Sequence, residues 1–215
     1  MFFMVFEGLD GSGKSSLMKM LDQHLDGLSF STVVTREPGG TEIGDQIRDL
    51  ILNKRKNAPT PRTELLLYQA SRAQHVDLVI RPALDQSNWV LCDRFSASSI
   101  AFQGGGRGIS DQQVEWLNNF STHDLSPHLT ILLDLSVEES KKRRTRRSDQ
   151  TGSQDDRIES EKEDFHQRVR QSFLAQAEAS KKSGKNNWLV LDAALSLEEL
   201  FKILLSDLRL RGWIS

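Results

Sequence analysis

Near the amino terminus, Gly8-Leu9-Asp10-Gly11-Ser12-Gly13-Lys14-Ser15 matches the spacing G-x-x-x-x-G-K-[ST]. Glycines at these positions let the backbone wrap so that successive N–H groups face a phosphate. A helix starting near Lys14 adds its positive end. Lys14 is expected to bridge the β- and γ-phosphates of ATP, the Ser15 hydroxyl to ligate Mg2+, and Ser16 to follow in the same phosphate-binding turn. The loop sits between an apolar run and an amphipathic segment, the setting such a loop requires. Its chemistry implies nucleoside triphosphate binding and leaves the reaction open.

A second set of residues narrows that reaction. Asp93-Arg94 ends a later apolar run. An acid at the carboxyl end of a parallel strand lies beside a phosphate loop, where Asp93 can orient Mg2+ or its water shell; the bland alternative is a strand-end aspartate capping the next turn. Arg36, Arg48, Arg72 and Arg94 recur at strand and helix ends. A guanidinium forks onto phosphate or a planar polar edge, and Arg94 is expected to clamp the phosphate of an acceptor. A phosphate acceptor carries its own negative charge, so its phosphorylation needs positioning and positive charge rather than a strong base. Accordingly, His24, His75, His123, His128 and His166 read as structural or surface residues, and no Cys/His spacing suggests a metal site. Tyr68 and Arg72 stand four apart, on one face of a helix. They could stack a base and bond its edge, or be a half-buried ring beside a solvated cation.

The elements that must hold these groups are legible as a pattern. Phe2–Phe6, Thr32–Thr35, Trp89–Cys92, Leu129–Leu135 and Trp188–Leu191 are continuous apolar runs, as expected of parallel strands covered on both faces. Helical periodicity lies between them, through Leu17, Leu21 and Leu25, and through Ile43, Ile47, Leu50 and Ile51. A long segment from Leu65 to Leu84 should end or kink at Pro82. Val114 and Leu117, then Phe165, Val169 and Phe173, and finally Leu197 to Leu208 mark later helices. Alternation over 215 residues predicts one α/β domain across 1–215, a doubly wound sheet of five parallel strands.

Composition sets the outer limits. Hydrophobic residues make up 37% and charged ones 27%, so an ordinary globular core is expected. The formal charge of −2 gives no general attraction to nucleic acid or an anionic membrane. Cys92, the lone cysteine, fits a reducing compartment. The segment Met1–Glu7 lacks the basic start of a signal peptide and the length of a membrane span. From these features a cytoplasmic location is expected. The basic-then-acidic stretch Lys141–Arg157 reads, on composition alone, as a solvated, flexible loop.

Several segments together resemble bacterial thymidylate kinases over nearly the whole chain. They are Thr35-Arg36-Glu37-Pro38-Gly39-Gly40, Ala70-Ser71-Arg72-Ala73-Gln74-His75 and, most specifically, Asp93-Arg94-Phe95-Ser96-Ala97-Ser98-Ser99-Ile100-Ala101-Phe102-Gln103-Gly104. Arg107-Gly108-Ile109, Asp156-Arg157-Ile158-Glu159 and Leu191-Asp192-Ala193 extend the likeness. The resemblance implies transfer of the γ-phosphate of ATP, with Mg2+, to thymidine 5′-monophosphate (dTMP). It implies that Tyr68 stacks on thymine where relatives carry phenylalanine, that Arg72 bonds a thymine carbonyl, and that Ser98, Ser99 and Gln103 line the base and sugar pocket. It further implies that Phe102 presses on the deoxyribose and Arg94 holds the acceptor phosphate. Asp10 and Glu37 would lie near sugar and phosphate, with Arg48 supporting Glu37 or the base. A homodimer built on helices is also implied.

Gly11 stands where eukaryotic relatives carry an arginine. The resemblance therefore puts the catalytic arginine in a lid at about 143–157, which offers Arg143, Arg144, Arg146 and Arg147. Arg147 is matched to the catalytic position and Arg143 to the residue packing on adenine. A kinase for another nucleotide or nucleoside, and a P-loop switch hydrolysing NTP slowly, are the alternatives that the residues leave open.

Overall fold

The computed structural model describes residues 1–152 and 154–215; Ser153, inside the expected lid, lies outside the described residues. Its five strands are β1 (Phe3–Glu7), β2 (Thr32–Arg36), β3 (Trp89–Asp93), β4 (Leu129–Asp134) and β5 (Trp188–Asp192). They form one parallel sheet in the order β2-β3-β1-β4-β5. The chain moves outward from β1 to β2, returns to β3, and then crosses β1 to reach β4. Loops leaving β1, β3 and β4 thus diverge around one crevice, the place where such sheets bind ligands.

Strand ends depart from the apolar runs in a consistent way. Each of β1, β2, β3 and β5 runs one residue further, onto Glu7, Arg36, Asp93 and Asp192, while β4 stops at Asp134. Charged residues at the carboxyl ends can still pair in the ladder because their side chains emerge at the crevice and find partners there. The two edge strands are also less covered than continuous runs imply: Val34 is 47% and Val190 45% exposed. Each has a neighbour on one side only.

Helices α1 (Lys14–Gly27) and α9 (Leu197–Leu210) cover one face, packing Leu17, Leu21, Leu25, Leu200, Leu204 and Leu208 onto Met4, Phe6, Ile131 and Leu133. On the other face, Phe3, Val5, Val90 and Cys92 meet Val76, Ile80 and Phe95. Phe102, Phe165, Val169 and Phe173 close over Leu9 and Leu132. Between β2 and β3 lie α2 (Glu42–Leu52), α3 (Pro61–His75), a π-helical stretch Val76–Ile80 and α4 (Arg81–Asp85). Pro82 therefore does not end the long segment. The widened turn just before it absorbs the missing N–H, and proline sits in the first turn of α4, where it is tolerated. The short helix α5 (Ser96–Ser99) runs into a π turn, Ile100–Gly106; α6 (Asp111–Thr122) and α8 (Glu163–Lys182) follow in the chain.

The basic part of this stretch, up to Thr151, is a helix, which corrects the composition-based reading of a flexible loop there. Helix α7 spans Val137–Thr151. Ser136 caps it by accepting from the Glu139 N–H, and Glu138 and Glu139 complement the positive end of the helix. Pairs at four-residue spacing, Glu138 with Lys142 and Glu139 with Arg143, run along its surface. The run of like charge that suggests solvation is neutralised from the preceding turn.

Candidate active site

The phosphate loop joins β1 to α1. Gly8 adopts φ 133°, and a Cβ there would lie 2.4 Å from the Leu133 carbonyl oxygen, so only glycine fits. Gly13, at φ 97°, turns the chain into α1. Lys14 is buried and donates to the Gly8 and Leu9 carbonyls, both at 3.2 Å, which holds its ammonium over the loop. Burial and the nearby Arg94 charge lower its pKa against the pull of Asp93, Asp10 and Glu7.

Beside the loop, the Ser15 hydroxyl donates to Asp93 Oδ2 across 3.2 Å. Asp93 Oδ1 is buried and has no hydrogen-bond partner among the described residues. An orphaned carboxylate oxygen next to a hydroxyl is a donor set that a hard cation and its water shell would satisfy, so these two residues fit Mg2+.

Arg94 follows Asp93 with φ 71°, a left-handed conformation that costs a non-glycine residue about 1–2 kcal/mol. Its N–H donates to the Phe6 carbonyl at 2.9 Å, which locks the turn. The guanidinium donates to Asp10 Oδ1 at 2.8 Å and to Ser98 Oγ at 3.3 Å, and lies 5.0 Å above the Phe102 ring centre. Although burial opposes it, the negative charges of Asp10, Asp93 and Glu7 raise the pKa of Arg94. Burial likewise opposes ionisation of Asp10, yet Arg94 and Lys14 hold its carboxyl below the usual range.

A cavity opens next to this pair. Asp10, Glu37, Arg48, Tyr68, Arg94, Ser98, Ser99, Phe102 and Gln103 line it together with Pro38, Leu52, Asp156 and Ile158. Arg48 donates to the Pro38 carbonyl at 3.0 Å. The Tyr68 hydroxyl stays protonated, its pKa pushed up by burial and by the Glu64 charge.

Arg72 is placed differently from Tyr68. It is 1% exposed, and its guanidinium is committed to protein partners. Nε donates to Glu37 Oε2 at 2.7 Å; Nη1 donates to Gln69, Ser99 and Asn118; Nη2 donates to the Phe95 carbonyl. It stands behind Ser99 and Glu37 rather than on the cavity wall. Glu37 is also held by His75 Nδ1 at 3.1 Å, and His75 Nε2 meets the Thr35 hydroxyl at 2.7 Å.

Helix α7 packs directly on the phosphate loop. The Ser140 hydroxyl donates to the Asp10 carbonyl at 2.7 Å, and a Cβ on Gly11 would lie 3.2 Å from Arg143 Cβ. Arg143 donates to the Ala193 carbonyl at 3.0 Å, beside the end of β5. Arg144 is buried and donates to Asp155 and the Glu159 carbonyl. Arg147 is more exposed, donating to Glu159 Oε1 at 2.7 Å.

Two residues build the site without a local signal that singles them out. Glu7 is fully buried and accepts from the Phe95 and Ser98 N–H groups at 3.0 and 3.1 Å and from the Ser98 hydroxyl at 2.7 Å. Its carboxylate anchors the turn that carries Arg94; a charged residue ending an apolar run was the available clue. Asn118 accepts from Arg72 and Gln69 across a long stretch of sequence, which no local pattern could reveal.

The thymidylate kinase family model matches residues 6–203 of this chain. The chain belongs to the thymidylate kinase family. Curated thymidylate kinases are similar along its length. That of Bdellovibrio bacteriovorus is 59% identical over 208 residues, covering 97% of this chain and 95% of the relative. That of Geotalea daltonii is 44% identical over 199 residues, covering 92% and 91% respectively. The Pelobacter propionicus protein is 41% identical over 207 residues, covering 96% and 93%. As a thymidylate kinase family member, the chain is a nucleoside monophosphate kinase with the five-stranded parallel α/β fold. Among the described residues, no helix is long and apolar enough to cross a membrane.

Proposed function

We propose that this chain transfers the γ-phosphate of ATP to dTMP, giving dTDP and ADP. The observation that carries the reading is the Asp10–Arg94 pair. It joins the phosphate loop to a cavity lined by two aromatic rings, hydroxyls and a carboxamide. Donor and acceptor anions would meet across it.

In this reading the N–H groups of Gly8 to Ser16 cradle the ATP phosphates, and Lys14 neutralises charge on the transferring group. Ser15 and Asp93 would hold Mg2+, which supplies further charge neutralisation when bound. Arg94 binds the acceptor phosphate and aligns it in line with the γ-phosphate. Tyr68 stacks on the base, Phe102 packs against the sugar, and Ser98, Ser99 and Gln103 supply polar contacts. Glu37 and Arg48 border the same cavity, and Arg72 acts through Ser99 and Glu37. Arg143 lies by β5, where it can pack on adenine, and Arg147 leaves Glu159 to reach the phosphates when the lid at about 143–157 closes. Closure excludes water and limits wasteful hydrolysis.

A homodimer is supported by apolar side chains exposed on neighbouring helices. Leu66 on α3 and Trp116 and Phe120 on α6 are 56%, 67% and 69% exposed, the two aromatic rings stacked 6.0 Å apart. The free, buried Cys92 thiol is compatible with a cytoplasmic setting.

A coupled ADP-release assay with ATP, Mg2+ and a panel of monophosphates tests the reading. We expect dTMP to be the best acceptor by kcat/KM. If CMP or GMP is phosphorylated as efficiently as dTMP, the assignment fails.

A further inference from the structure

We infer that Glu64 is a specificity-determining positioning residue: its buried carboxylate orients the Gln103 carboxamide and thereby decides which base edge the cavity accepts. The inference deepens the proposed function and rests on its reading of this cavity as the acceptor-nucleotide site.

Glu64 lies in the first turn of α3 and is fully buried, yet it does not line the cavity. Both of its carboxylate oxygens are filled. Oε1 accepts from Gln103 Nε2 at 2.9 Å and from Arg107 Nε at 3.2 Å. Oε2 accepts from Arg107 Nη2 at 3.1 Å and from Arg157 Nη2 at 2.6 Å. Arg157 is anchored in turn by donating to the Ile51 carbonyl at 2.7 Å, and Arg107 by pairing with Glu161 at 2.7 Å. Held from three directions, with N–H donors filling both oxygens, the carboxylate is a rigid acceptor.

That fixes the Gln103 amide. Its two ends exchange by rotation about the last side-chain bond, and in open solvent neither is preferred. Here the flipped form would set Oε1 against Glu64 Oε1, two acceptors face to face, so Nε2 must turn toward Glu64. Gln103 itself is 1% exposed and lines the cavity. Its Oε1 accepts no hydrogen bond among the described residues and is not a buried orphan, so the cavity receives it. The wall therefore presents an acceptor flanked by the second Nε2 N–H.

This pattern complements an imide edge, in which an N–H lies beside a carbonyl, as in thymine. Cytosine offers a bare ring nitrogen at the equivalent position, and two acceptors would then oppose each other, leaving both unpaired in a buried site. Glu64 thus acts through Gln103 and touches no substrate. Its substitution by glutamine replaces one carboxylate oxygen by an amide that can donate. The flipped Gln103 then gains a partner, and both orientations become available.

Dissociation constants for dTMP and dCMP, measured by isothermal titration calorimetry, read this directly. In the unsubstituted protein dTMP is expected to bind more tightly; equal affinities would instead overturn the proposed function itself. Glu64→Gln is expected to narrow the dTMP-to-dCMP ratio by about tenfold, the equivalent of one net hydrogen bond. Arg157→Gln breaks an ion pair to the same carboxylate but spares the Gln103 contact, so it should leave the ratio unchanged. A retained ratio in Glu64→Gln, or the same narrowing in Arg157→Gln, overturns the inference. Should Glu64→Gln fail to fold, side-chain amide NMR of the unsubstituted protein decides. One Gln103 Nε2 proton should exchange slowly, and dTMP but not dCMP should shift the other. Exchange of both at the rate of an exposed glutamine would overturn the inference.

Discussion

The Arg94 guanidinium donates to the Asp10 carboxylate across 2.8 Å, linking the turn after β3 to the phosphate loop after β1. The pair sets one cation between the loop and the cavity. Arg94→Ala is expected to lower kcat by about 10²–10³-fold while ATP affinity changes little, if it acts at the acceptor phosphate as proposed. Steady-state kinetics together with equilibrium binding of an ATP analogue would check this, and near-normal turnover would remove Arg94 from the site.

The same pair predicts an acid-sensitive component of stability. The Asp10 carboxyl is held below its usual range in the folded chain, so its ionised form contributes stability above the ordinary aspartate pKa. That contribution is lost as pH falls from about 4 toward the lower folded value. Melting temperatures of Asp10→Asn and the unsubstituted protein should therefore converge as pH drops below about 4. A constant difference across that range would contradict the linkage.

On the lid, Arg147 and Arg144 should behave as opposites. Arg147 is paired at the surface with Glu159, so Arg147→Ala should fold normally but lower kcat far more than KM, as expected for a contact made in the transition state. Arg144 is buried with partners on Asp155 and Glu159. Arg144→Ala should cost about 2 kcal/mol of stability in chemical denaturation, through lost charge-assisted hydrogen bonds. A larger kcat loss in Arg146→Ala than in Arg147→Ala would move the catalytic assignment.

Gly11 is where helix α7 rests on the loop. At φ 80°, with Arg143 Cβ and the Ser140 carbonyl each 3.2 Å from a prospective Cβ, Gly11→Arg should strain the turn by about 1–2 kcal/mol and push α7 away. Weaker ATP binding and a lowered melting temperature are the expected readouts. An unchanged pair of values would show that the loop has room for a side chain.

Local chemistry was readable along the chain. The glycine spacing of Gly8 to Gly13, the strand-ending Asp93-Arg94 and the five apolar runs are short-range patterns, set by backbone sterics and by the need to bury apolar strands. They suffice for a parallel α/β fold with a phosphate loop. Resemblance added the acceptor, through Tyr68 and the stretch Ser98 to Gln103. Charge composition does not reveal the helix over 141–151, because its stability depends on a cap at Ser136 and on pairs one turn apart, not on average polarity.

The long-range partnerships were invisible for a plain reason: hydrogen bonds between residues distant in sequence leave no periodic trace. Glu7 reaching Ser98, Asn118 reaching Arg72, and Glu64 gathering Gln103, Arg107 and Arg157 arise only when separate elements converge. Arg72 illustrates the point best. Four-residue spacing puts it on one helix face with Tyr68, but burial requires its guanidinium N–H groups to be matched by nearby acceptors, and those of Glu37, Ser99, Gln69, Asn118 and Phe95 hold it behind the cavity wall. Residue types and spacing thus settled the fold class and located the phosphate-loop motif, while three-dimensional packing chose which polar groups line the cavity and which hold them there.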